Sequence, residues 1–372
     1  MSRLEALSDL AVAMREARLI SGRSWLSIAR ELLRLRNSGG MLGLSDYFQY
    51  RLYEPLPFGG HKVDFAGWRM EGWLDERLNG RMWRGIIEDK CVFHAICVLQ
   101  GIPVPRVLGL FHPAGRRLGN VPVLRHTQDV EHFLREAISY PFFSKPVFGV
   151  SGGGAAAVDS IDRTRDELVL ASGQQVSVSA FADSLSRSSP GATPALGWLF
   201  QERLQQHELI AAVCGETVAT LRFIVLLDDH GPELFRVVWR IPTGANMTDN
   251  FGRHGRTGNL AARVSLESGE IERVIAGVGA AMTTHSTHPD TGARLLGWQL
   301  PLFREACDLV LLASALIPMF RFQHWDVAIT RNGPVIVECN SPGGIELPQI
   351  ASGQGLYDAR LRKFVERHGR AS

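Results

Sequence analysis

Residues 324–344, HWDVAITRNGPVIVECNSPGG, set an acid into each of two short runs that read as strands joined by a tight turn: Asp326 in the first and Glu338 in the second. With Arg331, Asn332 and Gly333 as a three-residue loop and Gly333 in the left-handed position, Asp326 falls directly across from Glu338, and Asn340 shares the face of Glu338. Cβ atoms so opposed stand only about 4.5–5.5 Å apart, and like charges there destabilise the pair, so a positive group is expected beside them. A hard divalent cation is one candidate. Mg²⁺ takes oxygen ligands, is usually held by one or two carboxylates, and completes its shell with water and phosphate oxygens. An arginine is another, since all but four of the 40 basic residues are arginine; a third arrangement turns one acid to solvent.

A second cluster lies in YPFFSKPVFGVSGGGAAAVDS, residues 140–160, where a strand carrying Lys145 runs into Gly149, Ser151, Gly152, Gly153 and Gly154 before another apolar strand begins. Glycines let backbone N–H groups close on a polyphosphate while the lysine supplies charge, although a plain hairpin tip has the same composition. No GK[ST] and no helix follows, which excludes a Walker loop and a dinucleotide fingerprint. After a Ser/Pro/Gly-rich loop at 184–197, an apolar strand ends at Gln201-Glu202, a polar stretch reaches His207-Glu208, and two strands are expected around the turn CGET. The polar stretch is either an exposed loop or the place where backbone at Leu204 meets an adenine edge and Glu208 a ribose hydroxyl. Further on, Arg240, Asp249, Asn250, Arg253, His254 and Arg256 crowd a glycine-rich loop between strands. Such a set suits an anionic ligand or a solvated loop.

Groups so far apart in sequence need two or three lobes to bring them together, and a chain of 372 residues with 45% hydrophobic content can build them. A net charge of +2 without basic runs excludes a nucleic-acid binder that relies on bulk charge. Five cysteines without a CxxC or His/Cys metal spacing fit a reducing cytoplasm, and neither a signal peptide nor a membrane-spanning run is expected. Residues 2–36 carry Leu4, Leu7, Leu10 and Met14, then Trp25, Ile28, Leu32 and Leu35, at helical spacing. They predict one or two amphipathic helices whose stripe docks on the rest of the chain, with a partner, a dimer or a membrane as the alternatives. NSGGMLGLSDYFQY reads as a linker, and the segment from residue 86 as a helix stopped by Gly101, Pro103 and Pro105 before a short strand.

The order of these pieces, a lysine strand with a glycine-rich loop, QERLQQHE, TLRFIV, a strand aspartate and ECN, resembles the ATP-grasp superfamily. TLRFIVL, WRIPTGANMTDNF, GNLAARVSLESGEI, THPDTGARLLGWQLP and WDVAITRNGPVIVECNSPGGIELPQ look like its sugar-transfer-associated family, over residues 75–357. The resemblance implies an α+β ATP-grasp fold, two lobes clasping ATP, with an N-terminal helical extension and linker at 1–74 and the ATP-grasp domain at 75–360. Its glycine-loop lobe would span about 125–200 and its metal-binding lobe about 201–360. By the same resemblance Lys145 and Lys90 contact phosphates under a lid at Gly152, Gly153 and Gly154, Gln201, Glu202 and Leu204 border the adenine, and Glu208 takes the ribose. Arg222 and Arg240 offset charge on the transferred phosphate, Asp326, Glu338 and Asn340 hold Mg²⁺, and Arg253, His254 and Arg256 cradle a substrate carboxylate. The implied reaction is ATP-dependent ligation of that acid, activated as an acylphosphate, to an amine, with a glycan or cell-surface polymer as one setting. A small-molecule or sugar kinase, using His254, His285 or His288 as base, and a non-catalytic nucleotide-binding regulator are the alternatives.

Overall fold

The computed structural model describes residues 3–149, 153–187, 196–252 and 255–369. The glycine-loop half builds β1 (Val107–Phe111), β2 (Val123–Leu124), β3 (Phe142–Pro146), β4 (Ala156–Asp162), β5 (Glu167–Leu170), β6 (Gln175–Ser177) and β7 (Trp198–Glu202), in the sheet order β2-β1-β7-β3-β4-β5-β6. The acidic hairpin belongs to a second sheet of β8 (Thr220–Asp228), β9 (Gly231–Ile241), β10 (Leu260–Val264), β11 (Ile271–Ala276), β12 (Thr283–Thr284), β13 (Phe322–Thr330) and β14 (Gly333–Asn340). Its order is β12-β11-β10-β9-β8-β13-β14. Apart from β1 beside β2, neighbouring strands run antiparallel. The helices, in chain order, are α1 (Arg3–Ser21), α2 (Trp25–Arg36), α3 (Leu44–Gln49), α4 (Trp68–Leu78), α5 (Arg84–Glu88), α6 (Lys90–Leu99), α7 (Thr127–His132), α8 (Val178–Leu185), α9 (Glu208–Cys214), α10 (Phe303–Ser314), α11 (Glu346–Ser352) and α12 (Ala359–His368).

Each sheet buries a face because its strands alternate. Phe142, Val158 and Phe200 of the first sheet pack on Val130 of α7 and on Phe181 and Leu185 of α8. The second sheet is covered on both faces, so β13, held between β8 and β14, is buried along its whole length. One face, with Phe223, Trp239 and Trp325, meets Phe93 of α6, Val213 of α9 and Val310 of α10. The opposite face, with Val238, Ala261 and Ile275, meets Ala17 of α1, Ile28 and Leu35 of α2, and Phe48 of α3.

The N-terminal segment therefore forms two helices that dock on the chain's own sheet. Trp25, expected on the docking stripe, is 41% exposed instead; the side chains of Leu4 and Leu7 lie outside the described ones. Two local expectations are corrected. NSGGMLGLSDYFQY is not a linker: it contains α3, whose Asp46, Tyr47 and Phe48 are buried, and Asp46 accepts from the Gly43 amide at 2.7 Å to cap it. Its glycines allow close packing rather than flexibility, since a Cβ at Gly40 would overlap the Phe65 carbonyl. The stretch before CGET is the helix α9, not a strand; Leu-Ile-Ala-Ala-Val-Cys fits either period over so short a run, and the His207 ring caps it by accepting from the Leu209 amide. The expected division at residue 74 falls inside α4.

Candidate active site

The hairpin places Asp326 opposite Glu338 as expected, by a different route. Thr330 pairs with Gly333, so the loop has only Arg331 and Asn332, and the register shifts by one between Asp326 and Val327. The extra residue on β14 is Val337, a bulge that restores the pairing of the two acids. On its other side Asp326 lies directly across from Arg222 of β8. The positive group beside the acids is arginine. The Arg222 guanidinium donates to both Asp326 oxygens, at 2.8 Å to Oδ2, and Arg240 donates to the same Oδ2 at 2.9 Å. Burial disfavours the Asp326 charge, yet the two guanidiniums outweigh it and hold the carboxyl well below the usual carboxylate range. Arg240 also donates to Thr220 Oγ1 at 3.0 Å and pairs with the buried Asp249 at 3.3 Å. Asn340 donates to Glu338 Oε1 at 3.2 Å. Arg222 further bonds the Gly343 carbonyl, in a loop packed so closely that a Cβ at Gly343 would overlap the His324 ring.

Between the sheets lie two clefts of about 350 Å³ each, which share Pro105, Lys145, Gln201 and Val337 and so adjoin at Lys145. The first is lined by Lys90, His94, Lys145, Gly149, Glu338 and Asn340, among others. Burial lowers both lysines, with Glu338 opposing the shift, and Lys145 is pushed down to about 8. Lys90 is the first residue of α6, capped by Asp89, and its Nζ donates to the Gly149 carbonyl at 3.0 Å and the Val147 carbonyl at 3.4 Å. It thus grips the base of the glycine loop. Gly153 and Gly154 continue that loop outside the cleft lining, and Gly152 lies outside the described residues.

The second cleft is lined by the connection between the sheets, Glu202, Arg203 and Leu204, and by Phe143, Ala157, Glu216, Thr217 and the stretch 244–249. Gln201 reaches the Pro105 carbonyl at 3.5 Å, and Glu202 accepts from the Arg106 amide at 2.9 Å. Glu208 begins α9 and is exposed, outside the lining; Glu216 takes the place beside Leu204. The buried Gln206 explains this, since its amide bonds the Gly215 carbonyl and the Ala219 amide, both at 2.6 Å, and hangs the CGET turn on the connection. No local pattern could announce that contact, whereas His94 was readable one helical turn after Lys90. Arg222 and Arg240 line neither cleft: they stand behind Asp326, while Thr220 and Asp249, which Arg240 bonds, reach the second cleft. Arg256 is exposed and also outside the linings, and Arg253 and His254 lie outside the described residues. His288 is buried with Nε2 on the Pro242 carbonyl and Nδ1 facing the Asp290 and Thr291 amides; His285 bonds Thr283.

The oxygen donors fit a hard cation in part. Glu338 and Asn340 line the first cleft, while both oxygens of Asp326 already accept from arginine, and no three Cys, His or acidic side chains converge among the described residues. One or two protein ligands are what Mg²⁺ takes when phosphate and water complete its shell.

A family model described as sugar-transfer associated ATP-grasp matches residues 69–366. No curated protein matches the chain. Among solved structures, biotin carboxylase from Campylobacter jejuni is 11% identical, with a TM-score of 0.45, over 77% of this chain and 47% of that one. D-alanine–D-alanine ligase from Bacillus anthracis is 12% identical, with a TM-score of 0.40, over 80% of this chain and 73% of that one. L-amino acid ligase from Bacillus licheniformis is 12% identical, with a TM-score of 0.37, over 72% and 42%. The chain spans about half the length of several structures it matches. With its α+β architecture and its family match over most of the sequence, the chain belongs to the sugar-transfer-associated ATP-grasp family.

Proposed function

We propose that the chain is an ATP-dependent ligase that joins a carboxylic acid to an amine. The observation that carries this reading is the meeting, at Lys145, of a cleft lined by two lysines, Glu338 and Asn340 with a cleft lined by the connection Glu202–Leu204. The first offers cations to a triphosphate and oxygens to its counter-ion; the second has the apolar walls of Phe143, Ala157 and Leu204 for a base. In this reading Lys90 and Lys145 hold phosphates, Gly152–Gly154 close over them through backbone amides, and Gln201, Glu202 and Leu204 border the adenine. Glu216 is better placed than Glu208 to accept from a ribose hydroxyl. Glu338 and Asn340, with Asp326 behind them, would hold Mg²⁺, which offsets charge on the β- and γ-phosphates when bound. Arg222 and Arg240 fix Asp326 and set a positive potential beneath the transferred group. The acid cradle is assigned to Arg253, His254 and Arg256, which follow the cleft-lining stretch 244–249 closely in sequence.

A substrate carboxylate oxygen attacks the γ-phosphorus and ADP leaves; the amine nitrogen then attacks the acyl carbon, phosphate leaves, and the amine's proton passes to solvent. Nothing in the chain need become covalently attached. Phosphorylation of a hydroxyl lacks one of its three candidate bases, since both ring nitrogens of His288 are committed to backbone groups. Incubation with ATP, Mg²⁺ and pools of acids and amines tests the reaction. ADP should form only with an acid present, and hydroxylamine should trap an acyl hydroxamate. ADP formed only with a hydroxyl acceptor, and no hydroxamate, would make the protein a kinase.

The lowered Lys145 carries a second expectation. Above pH 8 its amine is increasingly neutral, so anion binding there must first take up a proton. ADP affinity should fall as pH rises through about 8, by up to about tenfold per unit. In Lys145→Arg, whose guanidinium stays charged, the profile should be flat. Titration calorimetry from neutral to alkaline pH measures this, and matching slopes in both proteins would remove Lys145 from the phosphate site.

A further inference from the structure

Six of the twenty large apolar side chains that are most exposed among the described residues fall within residues 12–33, on α1 and α2. On α2, Ile28, Leu32 and Leu35 face inward, and Leu26 and Leu33, two turns apart, face outward at 59% and 58% exposure. Trp25 and Arg36 flank that outward pair on one side, Arg30 and Arg34 on the other. Glu31 is the helix's only acid, and it turns toward the protein, paired with Arg23 at 2.5 Å and Lys62 at 2.9 Å. The face continues onto α1. Arg18 stands over the Trp25 ring, its guanidinium carbon 5.8 Å from the centroid, and Val12 and Leu19 form an exposed apolar pair two turns apart, 54% and 74% exposed. Arg15 lies beside them; among the described side chains Asp9 and Glu16 are the exposed acids of this surface.

We propose that the outer face of α1 and α2 docks on an anionic lipid surface. Leucines at the centre with tryptophan and arginines at the borders is the arrangement by which a helix lies in a bilayer interface, its apolar residues among acyl chains and its cations among headgroups. Charge selects this occupant over a second copy of the chain. Two such faces meeting would set arginine against arginine, with only Asp9 and Glu16, among the described side chains, to relieve them, whereas acidic headgroups complement every one. A nucleic-acid backbone would answer the arginines and leave the leucines wet. The inner face is already committed to the protein core, so docking requires no unfolding. None of these residues lines the clefts, and the proposal stands apart from the nucleotide reading.

Sedimentation of the full chain with vesicles of phosphatidylcholine, with and without phosphatidylglycerol, tests it. The protein should pellet with the acidic vesicles at low salt, stay in solution with the neutral ones, and be released as salt screens the headgroups. Leu26→Ser with Leu33→Ser, and separately Arg30→Glu with Arg34→Glu, should each lower the partition coefficient about tenfold or more while circular dichroism and melting temperature hold, since all four positions are exposed. Absence of binding to acidic vesicles at low salt overturns the proposal. So does equal binding by the variants, or a dimer in light scattering that the leucine variant abolishes while the wild-type chain ignores vesicles.

Discussion

Replacing Asp326 with alanine is expected to destabilise the fold by about 3–5 kcal/mol, the usual effect of removing one member of a buried ion pair. The size follows from what is left behind. Asp326 is 1% exposed and neutralises two guanidiniums whose own side chains are only 12–13% exposed, and Arg222 has no second carboxylate bonded to it to replace it. Arg222 would keep the Gly343 carbonyl, and Arg240 would keep Thr220 and Asp249. Urea denaturation of wild type and variant measures the difference. Adding Arg222→Met to the alanine variant should recover part of the loss, because the stranded charge is then removed. The same pairing predicts acid sensitivity. The folded carboxyl titrates below the unfolded one, so its contribution is complete above the ordinary carboxylate range and is lost as pH falls toward the folded value. A loss under about 1 kcal/mol would mean that the arginines re-pair or hydrate, and that Asp326 is not the anchor of the site.

Glu338→Gln should do little to stability and far more to turnover. Glu338 opposes Asp326 across the hairpin, so neutralising it relieves like-charge repulsion while giving up the attraction to Lys90, Lys145 and Arg222, and the ligand-free variant should melt close to wild type. It also lines the first cleft, where its charge faces both lysines and is the one acid of the proposed Mg²⁺ set not held by arginine. The rise in melting temperature that Mg²⁺ and ATP give together should therefore largely vanish, and ADP production should fall about a hundred- to a thousandfold. Glu208→Gln, outside both clefts, serves as the comparison at an exposed acid. If Mg²⁺·ATP protects the Glu338 variant as well as wild type, the cation is held elsewhere or not at all.

What the sequence disclosed was mostly what neighbours in the chain decide. The facing of Asp326 and Glu338 follows from strand period and a tight turn, and Lys145 on a strand before glycines is visible for the same reason. Even there the loop came out one residue shorter, and the bulge at Val337 restored the pairing that a longer loop would have given. Partners from other strands were beyond reach. Arginine as neighbour of the acids was one of three open arrangements, and only the alignment of β8 with β13 selects it. Glu216 depends on the Gln206 side chain. α3 was hidden because glycines that permit tight packing have the same letters as glycines that permit motion, and α9 because six apolar and small residues satisfy two periods.

The way α1 to α3 cover the outer face of the second sheet bears on what could be transplanted. The stretch shared across the family starts at residue 69, but Val238, Ala261, Ile275 and Ile350, all past that point, are sealed by side chains that precede it. A heritable module and a self-sufficient body are different things here. A graft of 69–366 alone into another host would carry an unsealed hydrophobic wall with it and tend to clump, whereas one that brought the first 68 residues along would arrive closed.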